Sequence, residues 1–94
     1  MSPILERYRA EILNVATRHG VQNVRVFGSL ARGEGSESSD LDLLVTLGEG
    51  RSLLDLIGLK QDVEDIIHRS VDVVTERALS PYLRERVLAE AVPL

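Results

Sequence analysis

Phe27-Gly28-Ser29-Leu30-Ala31-Arg32-Gly33-Glu34-Gly35-Ser36-Glu37-Ser38-Ser39-Asp40-Leu41-Asp42-Leu43-Leu44-Val45 is the stretch on which the reading of this chain turns. It opens as the end of an apolar strand, Val21 to Phe27, in which Val24 and Val26 share one face and Arg25 and Phe27 the other. Gly28-Ser29 breaks that strand. Leu30 to Arg32 are expected to form a short helical turn, capped by Ser29 and ended by Gly33. Glu34 to Ser39 contain no large apolar residue and read as a surface loop. A second strand, Asp40 to Leu47, follows. Its period of two puts Leu41, Leu43, Val45 and Leu47 on one face and Asp40, Asp42, Leu44 and Thr46 on the other. The two aspartates therefore emerge on the same side, roughly 7 Å apart by the rise of a strand.

The flanking sequence alternates helix and strand. Ser2-Pro3 reads as an N-cap with proline in the first turn. Ile4, Tyr8, Ile12 and Ala16, with Leu5 and Leu13 beside them, make an amphipathic helix that Gly20 ends. Beyond the Gly48-Glu49-Gly50 turn, Ser52 and Asp55 form a capping box. They open a helix with Leu56, Leu59, Val63, Ile66 and Ile67 along one stripe. Gly58 inside it suggests close approach of this helix to the sheet. His19 and His68 fall at helix ends, where a cation suits the macrodipole. Val71 to Thr75 is a third, short strand in which Asp72 and Val74 share a face. Ser80-Pro81 begins a last helix carrying Leu83, Val87 and Ala91, with Pro93 ending the chain. Leu79, Leu83, Val87 and Leu88 could offer an apolar surface to a partner, but most of them are expected to close the domain's own core. Tyr8 and Tyr82 are expected to pack with their hydroxyls exposed.

Composition limits what such a chain can be. Its 94 residues make one domain, 1–94. With no cysteine, neither disulfides nor thiolate metal sites are available. Aromatics are only 3%, so Leu, Val and Ile must build the core. No apolar run is long enough to span a membrane, and the N-terminus lacks the pattern of a signal peptide, so a cytoplasmic location is expected. The net charge of −4 argues against direct binding to nucleic acid, which favours basic surfaces.

Aspartates inside apolar strands are what require explanation, because strands deplete Asp and a carboxylate beside Leu and Val is costly unless paired or metal-bound. Asp40, Asp42 and Asp72 converging on one face would repel one another, and a divalent cation would relieve the repulsion. Hard oxygen donors with room for water and phosphate suit Mg²⁺. Two such ions could activate an attacking oxygen and stabilise a leaving one. Gly28-Ser29 at a strand end lets backbone N–H groups approach a phosphate. Taken singly, Gly-Ser is an ordinary turn, Asp-x-Asp an ordinary loop pair, and Asp72 an edge-strand surface residue. Their combination at this spacing is specific.

Gly28-Ser29, ten residues, then Asp40-Leu41-Asp42 closely resembles the motif of the DNA polymerase β-like nucleotidyltransferase superfamily. The wider pattern of Phe27-Gly28-Ser29-x-Ala31-Arg32-Gly33 followed by Ser39-Asp40-Leu41-Asp42-Leu43 resembles the minimal nucleotidyltransferases, antitoxins of HEPN-domain toxins. The resemblance covers essentially the whole chain. It implies an α/β (α+β) nucleotidyltransferase core, with a small mixed sheet of three or four strands and helices packed on one face. It implies that Gly28 and Ser29 bind the nucleotide phosphates and that Asp40, Asp42 and Asp72 are catalytic and bind metal. Arg32 fits the subfamily's Ala-Arg-Gly, either as a contact to phosphate or to a motif aspartate, or as a surface arginine on a turn. The implied reaction is Mg²⁺-dependent transfer of AMP from ATP to a hydroxyl, notably a tyrosine of the cognate HEPN toxin. The alternative is a non-catalytic antitoxin that acts by occlusion. Enzymes that modify small molecules carry an extra acceptor domain, and only 19 residues follow Thr75. The acceptor must then be held by another chain or a second copy.

Overall fold

The computed structural model describes residues 2–34 and 39–94. The order is α1 (Pro3–Arg18), β1 (Val21–Phe27), β2 (Leu41–Leu47), α2 (Leu53–Ile67), β3 (Val71–Thr75), a single 3₁₀ turn (Glu76–Ala78), α3 (Pro81–Glu90) and β4 (Val92–Pro93). The sheet runs β3-β2-β1-β4. β1 is antiparallel to both β2 and β4, whereas β2 and β3 are parallel and joined through α2. This is the mixed four-stranded sheet of an α+β domain.

Alternation along the strands sorts residues as the sequence requires. Leu41, Leu43 and Val45 are buried against Leu5, Ile12, Val15 and Ala16 of α1 and Leu56, Leu59, Val63 and Ile67 of α2. β1 deviates in one respect: Val21 and Val24 are both buried although three residues apart. The pairing with β2 shifts between Gln22 and Arg25, and Asn23 takes a left-handed backbone conformation (φ 50°). A bulge of this kind inserts one residue and returns both valines to the core face.

Both expected helix devices at α2 are present. The Ser52 hydroxyl accepts from Leu54 N at 3.3 Å, and Asp55 Oδ2 accepts from Ser52 N at 2.9 Å. At α1, Pro3 occupies the first turn, but the Ser2 side chain makes no capping bond. Gly58 does approach a neighbour closely, but not the sheet: a Cβ there would lie 2.6 Å from the His19 ring. The glycine makes room for His19 at the end of α1, whose Nε2 meets Asp62 Oδ2 at 2.7 Å.

The C-terminus departs most from expectation. Pro93 does not simply end the chain. Val92–Pro93 adds β4 beside β1, and Leu94 N donates to Val24 O at 3.0 Å. Proline is tolerated there because β4 is an edge strand. Leu94 itself is 4% exposed and joins the core. α3, by contrast, closes little of it. Val87 is buried, but Leu83 and Leu88 are exposed and Tyr82 is 89% exposed, so Tyr82 does not pack as expected. α3 is tied down by polar contacts instead: Glu76 meets Arg25 at 2.9 Å and Arg84 at 3.8 Å, and Glu90 meets Arg32. Among the described residues, no helix is long and apolar enough to cross a membrane.

If Leu94 is a core residue, Leu94→Ala should lower unfolding stability by about 2–3 kcal/mol, as for other buried leucines. Urea denaturation checks this, and an unchanged midpoint would show that β4 carries no core load.

Candidate active site

The site is built where β1 ends and β2 begins. Phe27 pairs with Asp42 across the antiparallel β1–β2 ladder, and Asp42 pairs with Asp72 across the parallel β2–β3 ladder. The two carboxylates therefore lie side by side on one face of the sheet. Leu44, one pleat further along that face, is fully buried, flanked by Arg25 on β1 and Val74 on β3. Asp42 thus stands at the boundary between an apolar floor and solvent. Asp40 precedes β2 and is exposed, as is Asp72, whereas Asp42 is half-buried.

Gly28 is required here for two reasons. Its φ of +78° is a conformation that L side chains rarely adopt, and a Cβ would sit 2.3 Å from Asp42 Oδ2. The carboxylate occupies the space that any side chain at 28 would fill. The segment after it forms consecutive turns, the first of which is closed four residues apart like a single turn of helix. Arg32 N donates to Gly28 O, Gly33 N to Leu30 O and Glu34 N to Ser29 O. Leu30 is 1% exposed and anchors this loop to the core. Gly35 to Ser38, the middle of the expected loop, lie outside the described residues.

The entry to β2 is held from the other side. Leu41 N donates to Ser70 O at 3.0 Å and Arg69 Nη1 to Ser39 O at 3.1 Å. Asp40 is therefore positioned by the start of β3. Arg69 was not singled out from sequence, since a main-chain contact thirty residues away leaves no local signature.

Electrostatics brings the site residues together. Burial pushes the Asp42 carboxyl above its usual 3.8, and the negative charges of Asp72 and then Asp40 push it further, while Arg32 opposes them. The charges of Asp72, Asp40 and Arg32 are therefore all felt at Asp42. The Arg32 guanidinium is also engaged by two carboxylates. Nε donates to Glu34 Oε2 at 2.5 Å and Nη1 to Glu90 Oε1. Glu90 is a residue that sequence reasoning missed.

Among the described residues, no three carboxylate, imidazole or thiol groups are grouped so that they could hold a metal ion by themselves. In kind, the carboxylate oxygens of Asp40, Asp42 and Asp72 are donors that Mg²⁺ accepts, and that ion takes waters and phosphate oxygens to complete its shell. The Asp42 carboxyl is raised first by its burial and then by the neighbouring carboxylates.

The sequence pattern of the nucleotidyltransferase domain matches residues 10–94. The chain belongs to the nucleotidyltransferase family. This nucleotidyltransferase is 43% identical over 88 residues to a Methanocaldococcus jannaschii protein that carries the provisional name of a protein adenylyltransferase, covering 94% of this chain and 95% of that one. It is 41% identical over 75 residues to the protein adenylyltransferase MntA of Thermococcus cleftensis, covering 80% and 76%. A solved structure provisionally described as a minimal nucleotidyltransferase superposes with a TM-score of 0.83 at 54% identity, covering 100% of this chain and 97% of that chain. The fold is also that of the MNT antitoxin solved with the tri-AMPylated HEPN toxin of Shewanella oneidensis (TM-score 0.70, 19% identity, 94% and 69% covered). This nucleotidyltransferase thus has the minimal architecture expected from its motif.

Two substitutions test the site's energetics. A raised folded-state pKa means the ionised Asp42 weakens the fold above that pKa, and the penalty disappears as pH falls below 3.8. Asp42→Asn should therefore melt at a higher temperature than the wild type at pH 7, with the difference shrinking towards pH 4. Equal melting temperatures at pH 7 would contradict the charge crowding described above. Gly28→Ala should cost about 1–3 kcal/mol from the left-handed backbone alone. It should also displace the Asp42 carboxylate, so that nucleotide-dependent activity falls more than stability does.

Proposed function

We propose that this chain transfers AMP from ATP to a hydroxyl of a partner protein, a tyrosine of a cognate HEPN-domain toxin, and so acts as that toxin's antitoxin. The observation that carries this reading is the Asp42–Asp72 pair, with Asp40 beside it, packed against the bare backbone of Gly28. Support comes from the relatives named as protein adenylyltransferases and from the likeness to an antitoxin solved with an AMPylated toxin.

In this reading Gly28 and Ser29 receive the nucleotide's phosphates at the end of β1, and Arg32 offsets their charge. Asp40, Asp42 and Asp72 would hold Mg²⁺, which when bound with the nucleotide supplies neutralisation of the phosphate charge. The acceptor hydroxyl lies against Asp72, whose exposed carboxylate takes up its proton. The acceptor oxygen attacks the α-phosphorus of ATP and a phosphoester forms. The bond from the α-phosphorus to the bridging oxygen breaks, and pyrophosphate leaves with that electron pair. Positioning and electrostatic complementarity account for most of the acceleration in such a reaction. The absence of cysteine and the negative charge fit a cytoplasmic protein that acts on a protein partner and not on nucleic acid.

The decisive experiment incubates the chain with its HEPN partner, Mg²⁺ and each α-labelled nucleoside triphosphate. Label should pass from ATP to the toxin, and Asp42→Asn should reduce the rate by about 10²-fold or more. No transfer from any nucleotide would overturn the enzymatic reading. Toxin neutralisation that survives the Asp40→Asn, Asp42→Asn double substitution would favour occlusion instead.

A further inference from the structure

We infer that α3 supplies the second wall of the nucleotide's polyphosphate subsite, with Arg86 as a phosphate-binding residue and Glu90 as a clasp that holds Arg32 until the nucleotide arrives. This rests on the nucleotidyltransferase reading of the Gly28–Asp42 site and adds residues outside its motif.

The argument begins with a groove of about 440 Å³, lined by Arg32, Arg86, Ala89 and Glu90. It is open to solvent and lies within the range of small-ligand sites. The groove adjoins the Gly28 loop, because Arg32, which lines it, lies on that loop and donates its main-chain N–H to Gly28 O at 3.3 Å. The lining is chemically uneven. Ala89 offers only a methyl group between two guanidinium groups and one carboxylate, so the space is not filled by side chains.

Charge then distinguishes the two arginines. Arg32 already has two carboxylate partners, Glu34 and Glu90, before any ligand enters. Arg86 has no ion-pair partner among the described residues, although Glu90 stands one helical turn away on the same face of α3. Glu90 is committed to Arg32 across 58 residues of sequence, and Arg86 is left as an unneutralised cation on the groove. The three motif aspartates make the neighbouring surface strongly negative, which repels a polyphosphate approaching without cations. Two guanidinium groups lining one groove provide what the β- and γ-phosphates require, since arginine binds phosphate through paired, charge-assisted hydrogen bonds. Arriving phosphates compete with Glu90 for Arg32 and repel the Glu90 carboxylate from it. The subsite therefore reads the tail of a nucleoside triphosphate and has no contact with a nucleoside monophosphate.

Binding of ATP, AMP and inorganic tripolyphosphate, each with Mg²⁺, tests this by calorimetry. Arg86→Ala should weaken ATP and tripolyphosphate about tenfold, the effect of losing one charge-assisted contact, and leave AMP unchanged. Arg86→Lys should recover part of the loss, and Glu90→Gln should tighten ATP and tripolyphosphate several-fold. Arg86 is exposed, so the Arg86 variants should keep the wild-type melting transition. ATP binding unchanged in both Arg86→Ala and Arg86→Glu overturns the proposal, as does an equal loss for AMP and ATP. If those results come with an ATP affinity that Asp42→Asn alters, the nucleotide-binding reading survives and only the role of α3 falls. A wild-type chain that binds neither ATP nor tripolyphosphate overturns both.

Discussion

The fit of the Asp42 carboxylate against the bare α-carbon of Gly28 is the contact on which the rest of this structure depends. It requires a residue without a side chain, in a left-handed conformation, directly after the strand position that faces Asp42. It also requires β1 and β2 to be antiparallel neighbours in one register, which the buried faces of both strands enforce. α1 and α2 cover the opposite face of the sheet and supply the apolar burial that holds this arrangement. The site itself is electrostatically unfavourable, as the raised Asp42 pKa shows, so the core stabilises a cluster that would not assemble alone.

Most of this frame was legible because it follows from local rules. Alternation in β2 placed Asp42 and Leu43 on opposite faces, and the Ser52–Asp55 pair announced the start of α2. What was not legible depends on partners distant in sequence. β4 is two residues long and exists only because β1 presents an unpaired edge. Gly58 signalled a close approach, but nothing in its surroundings could say that the neighbour is His19 and not the sheet. The bulge at Asn23 shifts the alternation of β1 by one residue, and a single odd step between Val21 and Val24 is too short a break in the pattern to identify it from sequence. Glu90 and Arg69 act through single long-range contacts, one to a side chain and one to a carbonyl, and neither residue type is unusual where it stands.

The expectation that α3 seals the core failed for a related reason. Leu83, Val87 and Leu88 suggest an apolar stripe, yet only Val87 is buried. The helix is fastened by arginine–glutamate pairs at Glu76 and Glu90 instead. These pairs are partly exposed, and surface ion pairs individually contribute little. α3 thus has one buried apolar anchor, Val87, beside its ion pairs, in contrast to the apolar faces of α1 and α2, and it carries residues that line the groove beside the site.

The parallel pairing of β2 with β3 has one more consequence. Asp72 stands between Val71, which is buried, and Val73, which packs against the core. Sliding β3 by a single residue along β2 would turn Asp72 into the hydrophobic interior and expose both valines. A chain with its third carboxylate misplaced would therefore be a poorly folded chain, not an intact but inactive one. The alternation of Val-Asp-Val in this short strand acts as a proofreading device. Strand register and the placement of Asp72 are thereby fixed together, by the burial of the valines on either side of it.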